Sequence, residues 1–493
     1  MQAQRWYQTA RDNRSRWDER QEVGAARSTK EAGEAAPGDP VEERGCRAMD
    51  PLEGTMTETT SLDPISPRLQ RIAAIAEANP DEPLNPLAHF IDEYWLAEAY
   101  RRTRKDGAPG VDGQTAREYA RDLVSNIYSL RDRAKSGAYW APPVRWAEIP
   151  KGDGSETRTL GIPTFEDKIL QRAVAMVLEA VYEREFHEGS YGFRPGRSAH
   201  QALQVTWKTL MDMSGGWVLE IDIRKFFDEV DHSQLREILR KRVRDGDLLR
   251  LINKWLQAGV LTEGKDQRLK RGTPQGGVIS PLLANIFLHE VLDQWFEAEV
   301  KPRLDGEAHL VRFADDALLL FQDETDARRV LSVLPKRFGR YGLRLHPEKT
   351  RLVPFQRPPK GVKKPRNKSG TFDLLGFTHY WGRSRRGNWV VKRKIAKDRM
   401  SRATRALDQW CRANRHRPLL EQWQALVCKL RGLYAYYGVI GSVRKLRMIR
   451  YQAARSWRKW LDRRSQKGKM TWEYFQKLLE VFPLPYAARM VRA

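Results

Sequence analysis

The sequence predicts an α/β (α+β) region followed by an all-helical region. Between residues 66 and 382, helical patterns such as 167–183 alternate with short strand-like runs such as 217–223 and 309–313. Beyond residue 382 the apolar spacing is helical throughout. The candidate helices there are 394–413, 418–437, 443–465 and 472–480. A chain of 493 residues exceeds what one hydrophobic core usually organises, so several domains are expected.

The charge balance indicates a polyanionic partner. Lys and Arg number 88 against 63 Asp and Glu, a formal charge of +25. Residues 383–493 hold 29 of these cations and six acids, a net +23. No apolar run approaches the ~18 residues of a membrane-spanning helix, and no apolar signal-peptide core stands at the start. We expect a cytoplasmic, nucleoid-associated protein that binds nucleic acid and no membrane.

The two ends of the chain differ from the region between them. Residues 1–65 are polar and lack hydrophobic periodicity, which predicts a disordered N-terminal extension. Residues 466–493 are expected to form a short C-terminal tail. This tail is too short for a nuclease domain, and the chain has no Cys-x-x-Cys pair that could bind the metal of one.

Three aspartates interrupt apolar strand-like runs. Residues 309–321 read as a β-hairpin with Asp315 and Asp316 at its tip, a pattern that on its own usually marks a solvated turn. Asp222 lies inside another apolar run, 217–223, and a buried carboxylate costs several kcal/mol unless a cation or hydrogen bonds compensate it. Three such groups on adjacent strands would repel one another. Two divalent ions about 3.5–4 Å apart would remove the repulsion and serve transfer of a nucleotide to a 3′-hydroxyl.

The order of short motifs along the chain resembles that of the reverse transcriptases and maturases encoded by bacterial group II introns. The match extends over about residues 105–465, with Phe313 where the family usually has Tyr. Besides the Asp222 and Asp315 segments, the matching motifs are 107–113, 149–163, 191–198, 272–286, 342–350 and 372–377.

The resemblance implies a right-hand polymerase. Its fingers would comprise residues 66–215, its palm residues 216–382 with an antiparallel sheet, and its helical thumb, or maturase domain, residues 383–465. Asp222, Asp315 and Asp316 would be catalytic. These three and Ile223 would hold two Mg²⁺ ions, with Mn²⁺ as an alternative.

Several further residues would bind the incoming nucleotide. Phe227 matches the position beneath the sugar, where an aromatic ring rejects a 2′-hydroxyl; the alternative is a core Phe. Lys151 and Arg158 flank a turn-forming Gly-Asp-Gly-Ser stretch and match a phosphate-binding pair, or are a solvated surface pair.

A glycine-rich loop and one lysine complete the predicted nucleotide site. Gln275 and Gly276 match a loop that approaches the nucleotide and primer closely, which glycine permits. Lys349 either faces the active site or has a structural role. The two readings have similar weight.

The basic helices would bind A-form RNA through its backbone. In the 443–465 helix, the spacing of four cations brings two or three onto one side. Tyr434 and Tyr437 either contact the RNA or are core residues while only the cations touch RNA, and the core reading is favoured for Tyr437. The proposed RNA-binding residues are Arg431, Arg444, Lys445, Arg447 and Arg450.

The implied function is that of an RNA-directed DNA polymerase which also aids the splicing and retrohoming of its intron by target-primed reverse transcription. Its partners would be group II intron RNA, an RNA template with a DNA primer, target DNA and dNTPs; the resemblance allows a homodimer without fixing the oligomeric state. One alternative is a domesticated relative acting in phage defence or DNA repair. Another is an RNA-binding splicing factor without polymerase activity.

Overall fold

The structure, a computed structural model, describes residues 65–151, 156–258, 260–262, 265–267, 276–359, 370–465 and 470–487. Nearly all of the predicted N-terminal extension therefore lies outside the described residues. The described chain forms two compact units. The mixed unit comprises residues 65–375 and 380–391, and the helical unit comprises residues 376–379 and 392–487.

The mixed unit contains both helices and strands. Its helices are α1 (Ser66–Ala78), α2 (Glu93–Arg102), α3 (Ala116–Tyr119), α4 (Leu123–Ser136), α5 (Phe165–Tyr182), α6 (Ala199–Asp212), α7 (Phe226–Glu229), α8 (His232–Arg240), α9 (Gly246–Gln257), α10 (Ser280–Leu288) and α11 (Glu324–Arg340). Its strands are β1 (Val144–Lys151), β2 (Glu156–Ile162), β3 (Trp217–Ile221), β4 (Val260–Thr262), β5 (Lys265–Gln267), β6 (Ala308–Phe313), β7 (Asp316–Phe321), β8 (Arg351–Pro354) and β9 (Phe372–Leu374). The chain then passes between the units in β10 (Phe377–Arg383) and β11 (Trp389–Ile395).

Helix α5 lies at the centre of the first half of the mixed unit. The sequence predicts this helix from its apolar spacing, and the structure confirms it within two residues at either end. Thr164 caps it by accepting a hydrogen bond from the Asp167 N–H. Fully buried Trp95 of α2 donates its indole N–H to the Ala173 carbonyl of α5 at 2.9 Å, which satisfies a polar atom that burial would otherwise leave unpaired.

Two four-stranded sheets occur in the mixed unit. In the first, with order β2-β1-β4-β5, β1 pairs antiparallel with β2 and parallel with β4. The second, which we call the central sheet, has order β6-β7-β3-β8 and is antiparallel throughout. All residues of β7 after Asp316 are buried, so this strand forms the interior of the central sheet.

Helix α10 continues directly into a π-helical segment, His289–Val300. One buried face of this segment carries Asp293, which is fully buried. Pi-helical geometry is rare and is often found at functional sites. It places Asp293 against the central sheet, where it meets a strand residue described below.

The helical unit contains four main helices, all predicted from the sequence. They are α12 (Lys397–Ala413), α13 (Leu419–Tyr437), α14 (Val443–Asp462) and α15 (Trp472–Val481). Their apolar faces form a separate core around Trp457, whose indole N–H donates to Gln422 at 3.0 Å. Within the described ranges, no helix combines the length and the apolar composition needed to cross a bilayer.

The C-terminal segment differs from the predicted tail. Phe475 of α15 packs edge-on against Trp457 with ring centroids 5.7 Å apart, and the Tyr434 hydroxyl donates to the Pro485 carbonyl at 3.1 Å. Residues 470–487 therefore complete the core of the helical unit rather than trail from it. The division between the units is not a single point near the predicted 382/383: residues 376–379 and 392–487 belong to the helical unit, and residues 380–391 to the mixed unit.

Candidate active site

Asp222 directly follows β3, and its main chain is held by the segment that precedes β8. Its N–H donates to the Thr350 hydroxyl oxygen at 3.3 Å. Its carbonyl accepts hydrogen bonds from the His346 N–H at 2.8 Å and from the Thr350 hydroxyl at 3.2 Å. The motif at 342–350 thus fixes the backbone of Asp222, while the side chain stays half-buried.

Asp315 lies in the turn between β6 and β7, as the sequence predicts. Phe313 and Asp316 form the closing pair, so Ala314 and Asp315 make a two-residue turn. Ala314 adopts φ 57°, the left-handed conformation that such tight turns require. The register of β3 with β7 ends at Ile221 opposite Ala317, so Asp222 and Asp316 are the next residues on adjacent strands.

The carboxylates of Asp222 and Asp315 interact electrostatically. Burial raises the pKa of the Asp315 carboxyl above its ordinary value, and the negative charge of Asp222 raises it further, whereas Arg312 acts in the opposite direction. Lys349 brings its Nζ to 3.7 Å from Oδ2 of Asp222. The lysine side chain is 59% exposed, so solvent screens this ion pair and the lysine is free to move.

The donor set fits a divalent cation with further ligands from water or substrate. In the part of the chain that the structure describes, no three His, Cys, Asp or Glu side chains are grouped as a complete metal site. Two neighbouring half-buried carboxylates, one of which has a raised pKa, are nevertheless a good match for Mg²⁺. This ion commonly binds one or two protein carboxylates and retains water or phosphate ligands. Ile223, which has only its main-chain carbonyl to offer, is buried beside them.

A buried ion pair that sequence reasoning missed supports the candidate catalytic turn, Ala314 and Asp315. Arg312 of β6 is fully buried and donates to both carboxylate oxygens of Asp293 at 2.8 and 2.6 Å. The same guanidinium donates to Asn285 at 2.9 Å and to the Ala314 carbonyl at 3.0 Å. Although burial opposes it, Arg312 contributes to lowering the pKa of Asp293 to about 2. The sequence offered one signal for this ion pair: Arg312 and Asp293 are charged residues that each lie inside an apolar run.

Phe226 and Phe227 lie side by side but differ in burial. Phe226 is 3% exposed and packs near Phe287, with ring centroids 6.3 Å apart, as expected of a core residue. Phe227 is half-buried and meets the Phe226 ring edge-on at 5.3 Å. Its ring is therefore partly available to a ligand five residues after Asp222.

Comparison with known proteins shows which proteins this chain resembles. The chain is 40% identical to protein YkfC of Escherichia coli strain K12 over 256 residues. The aligned region covers 50% of this chain and 66% of YkfC. The chain is 38% identical over 254 residues to the group II intron-encoded protein LtrA of Lactococcus lactis subsp. cremoris, covering 50% of this chain and 41% of LtrA. Nuclear intron maturase 2, mitochondrial, of Arabidopsis thaliana is 28% identical over 234 residues, 37% of this chain and 31% of that protein.

Residues 149–379 match the family model described as reverse transcriptase (RNA-dependent DNA polymerase). These residues include the carboxylates and the central sheet. The chain carries a reverse transcriptase domain and is similar to proteins encoded by group II introns. A reverse transcriptase domain implies the right-hand polymerase fold, in agreement with the antiparallel central sheet and the many surrounding helices. Enzymes with this domain generally use divalent metal ions.

The glycine-rich loop of this reverse transcriptase is only partly described. Gln275 lies outside the described residues. Gly276 has φ 120°, and a Cβ there would come within 2.5 Å of the Gly161 carbonyl of β2, so only glycine fits. The Gln171 side-chain oxygen accepts the N–H groups of Val278 at 2.8 Å and Ile279 at 3.4 Å, which anchors the loop to α5.

The Gln171 side chain, which anchors the loop, is itself oriented by a buried carboxylate. Asp167 accepts hydrogen bonds from the Tyr139 hydroxyl and the Trp255 indole at 2.6 Å each, and from the Gln171 amide at 3.0 Å. Burial raises the pKa of Asp167 to about 6, and the hydrogen bonds only partly offset this shift. The sequence reasoning missed this group because its partners are distant along the chain.

The structure gives only the backbone positions of the predicted phosphate-binding pair. Lys151 and Arg158 lie on the paired strands β1 and β2, where Lys151 faces Glu156 and Arg158 faces Ile149 in register. The turn that joins these strands, residues 152–155, is outside the described residues.

The predicted RNA-binding cations in the helical unit do not share one environment. Arg444 and Arg447 are exposed three residues apart on α14, and Arg431 of α13 is exposed as well, whereas Lys445 is half-buried. Arg450 turns towards the C-terminal segment: it donates to the Leu484 carbonyl at 3.2 Å and lies 3.8 Å above the Tyr486 ring. Tyr434 is a core residue, as its alternative reading predicted.

Proposed function

We propose that this chain is an RNA-directed DNA polymerase that also acts as a maturase for a group II intron RNA. The observation that carries the proposal is the meeting of Asp222 and Asp315 at one end of the central sheet, within a reverse transcriptase domain. The chain covers 66% of YkfC and 41% of LtrA, so the activity of the whole protein remains our inference from these parts.

In this proposal the fingers comprise residues 66–215, the palm 216–382 and the thumb 383–465, with the thumb core completed by residues up to 487. Asp222, Asp315, Asp316 and the Ile223 carbonyl would hold two Mg²⁺ ions. When bound, these ions activate the primer 3′-hydroxyl and stabilise the charge that develops on the phosphates.

The protein side chains have positioning roles. Thr350 and His346 hold the Asp222 backbone, and Arg312 holds the Ala314 carbonyl, so both carboxylates keep their places as substrates exchange. Lys349 neutralises Asp222 when no nucleotide is present and is mobile enough to turn to a phosphate. Such preorganisation lowers the reorganisation needed at the moment of reaction.

The incoming nucleotide would lie between the fingers and the palm. Lys151 and Arg158 on β1 and β2 would bind its triphosphate, as cations on adjacent strands can. Gln275 and Gly276 would lie along its base and sugar, and Phe227 would lie beneath the ribose ring, where a 2′-hydroxyl would collide with it.

The maturase role is supported by the charge of the thumb. Residues 383–493 carry a net +23, and Arg431, Arg444 and Arg447 are exposed there. Cations on helices suit the phosphates of structured RNA. Intron RNA, an RNA template with its DNA primer, and target DNA are the proposed partners, and the predicted cytoplasmic, nucleoid-associated location follows from them.

The test is primer extension by the full chain with an RNA template, a DNA primer and Mg²⁺. Asp315→Asn or Asp222→Asn should reduce extension by at least 10³-fold, on the order expected for loss of a metal ligand, while intron RNA binding is retained. Near-normal extension by either variant would contradict the assignment. A wild-type protein that binds intron RNA but extends no primer would instead favour a splicing factor without polymerase activity.

A further inference from the structure

Phe193 is an exposed aromatic residue with a strained backbone. Its φ is 53°, a conformation that bulky L-residues rarely adopt, and 56% of the residue is exposed. Neither condition favours folding, because the left-handed backbone is strained for a bulky residue and an exposed ring gains little from burial. Residues of this kind persist only where their neighbours force the conformation, and they cluster at functional sites.

The residue before Phe193 is fixed against the catalytic turn. A Cβ on Gly192 would lie 2.3 Å from the Ala314 nitrogen, so the two chain segments are in direct contact. The Gly192 carbonyl accepts the Asn285 side-chain amide at 2.6 Å, and the Tyr191 N–H donates to the Arg312 carbonyl at 2.8 Å. The segment before Phe193 therefore runs along the edge of β6.

The residue after Phe193 is fixed equally firmly on the other side. The Arg194 side chain is 4% exposed and forms an ion pair with Glu183 at 3.0 Å. It also donates to the carbonyls of His187 at 2.8 Å and Ser190 at 2.7 Å. Phe193 is thus held between two immobile residues, and its conformation is imposed from both sides.

The ring of Phe193 lies beside the catalytic turn. Its centroid is 6.5 Å from that of Phe313, the residue that pairs with Asp316 at the base of the turn. Arg197, four residues further on, is exposed next to the same loop. An exposed aromatic ring with a nearby cation is the combination that binds a nucleic-acid strand, since the ring stacks on a base and the cation meets a phosphate.

We propose that Phe193 is a stacking platform for a nucleobase of the primer–template next to the catalytic carboxylates. This inference rests on the proposed polymerase function, which places a duplex at that turn. The strained backbone keeps the ring in place before the nucleic acid arrives, so less ordering is needed on binding.

The test measures equilibrium binding of a dideoxy-terminated primer on an RNA template by fluorescence anisotropy, with the full chain. Phe193→Ala should weaken binding by roughly 5- to 100-fold, the range found for loss of one stacked base. Phe193→Trp should bind like wild type, whereas Phe193→Leu, which lacks a flat ring, should not. Tyr94→Ala, which removes a 61% exposed aromatic from α2, is the matched control and should bind normally.

Abasic duplexes identify the stacked base. Where the abasic site replaces the base that Phe193 contacts, either the primer terminus or its template partner, wild type and Phe193→Ala should bind equally. An undiminished difference at both positions, or no difference on the intact duplex, would overturn the proposal. If wild type extends primers normally in Mg²⁺ while this result is found, only the stacking role fails and the polymerase function stands.

A glycine variant separates stacking from stability. Phe193→Gly removes the ring and also the cost of a positive φ, so its melting temperature should equal or exceed that of wild type while primer–template binding falls as for Phe193→Ala. A lower melting temperature with unchanged binding would show that the ring is structural and would also overturn the proposal.

Discussion

At the scale of single residues, the candidate site depends on which charged side chains are paired with a side chain of opposite charge. Lys349 faces Asp222, and Arg312 is paired with Asp293 and anchors the turn that carries Asp315. Both side chains of the Arg312–Asp293 ion pair are fully buried. Removal of either partner would therefore leave an uncompensated buried charge. Burial and the charge of Asp222 both raise the pKa of Asp315, so its anion would be stabilised by a bound cation.

Phe227 gives a prediction about sugar selection. Phe227→Val shortens a half-buried ring and should raise ribonucleotide incorporation relative to deoxynucleotide incorporation by roughly 10-fold or more, because the collision with the 2′-hydroxyl is relieved. The measurement is the ratio of kcat/KM for dNTP and rNTP in single-nucleotide extension. Phe227→Tyr, which keeps the ring, should keep the parental ratio. An unchanged ratio in the valine variant would make Phe227 a core residue only.

Asp167 gives a prediction about stability and pH. Its folded-state pKa is raised to about 6 from 3.8, so its stabilising contribution is complete below about pH 4 and is lost as pH rises through 6. The unfolding free energy of wild type relative to Asp167→Asn should therefore fall by roughly 3 kcal/mol between pH 4 and 7, since one pKa unit is about 1.4 kcal/mol.

Urea unfolding of both proteins across that range measures the difference. The matched control is Asp81→Asn, which alters an exposed carboxylate and should run parallel to wild type at all pH values. A constant difference between wild type and Asp167→Asn would show that Asp167 does not titrate in this range.

At the scale of elements, α14 shows how one helix can both bind and pack. Arg444 and Arg447 are exposed, whereas Arg450 is engaged with Leu484 and Tyr486. The spacing alone predicted that two or three of the four cations of this helix lie on one side, without showing which of them are engaged in packing. Docking of the C-terminal segment, which helical periodicity does not reveal, gives Arg450 a different role.

We therefore expect Arg444→Gln combined with Arg447→Gln to reduce the salt dependence of intron RNA binding. If both meet phosphates, the slope of log K against log salt should decrease by roughly 1.4–1.8 in magnitude. Filter binding at several KCl concentrations measures it. Extension of a short, saturating primer–template should change little.

Two control variants make this test specific. Lys336→Gln with Arg340→Gln removes two exposed charges from α11 of the mixed unit and should leave the slope unchanged. Arg450→Gln should lower the melting temperature more than the slope. Equal slopes in wild type and the Arg444/Arg447 variant would mean that this face of α14 is only solvated.

At the scale of the whole molecule, charge and chemistry are separated along the chain. Residues 383–493 carry a net +23 of the total +25, so the rest of the chain, which contains Asp222 and Asp315, is close to neutral. The mixed and helical units have separate hydrophobic cores.

Much of this organisation was readable from the sequence. The α5 pattern, the hairpin at Asp315 and the helices of the helical unit were predicted within a few residues, because each has strong periodicity or turn chemistry. Residues 470–487, which the sequence analysis assigned to a short tail, pack into the core of the helical unit. The sequence predicted the helix in this segment. Whether that helix packs depends on a complementary apolar surface formed by residues distant in the chain, such as Trp457.

The sequence by itself determined the mixed fold, the reverse transcriptase domain and the hairpin that carries Asp315, since periodicity and ordered motifs are local properties of the chain. Only the tertiary structure decided which charges are compensated: Arg312 with Asp293, Asp167 with Tyr139 and Trp255, and Arg450 with the C-terminal segment. It also decided that Phe193 is exposed in a strained conformation. The physical reason is that burial and pairing depend on contacts between residues far apart in the chain, which no local pattern records.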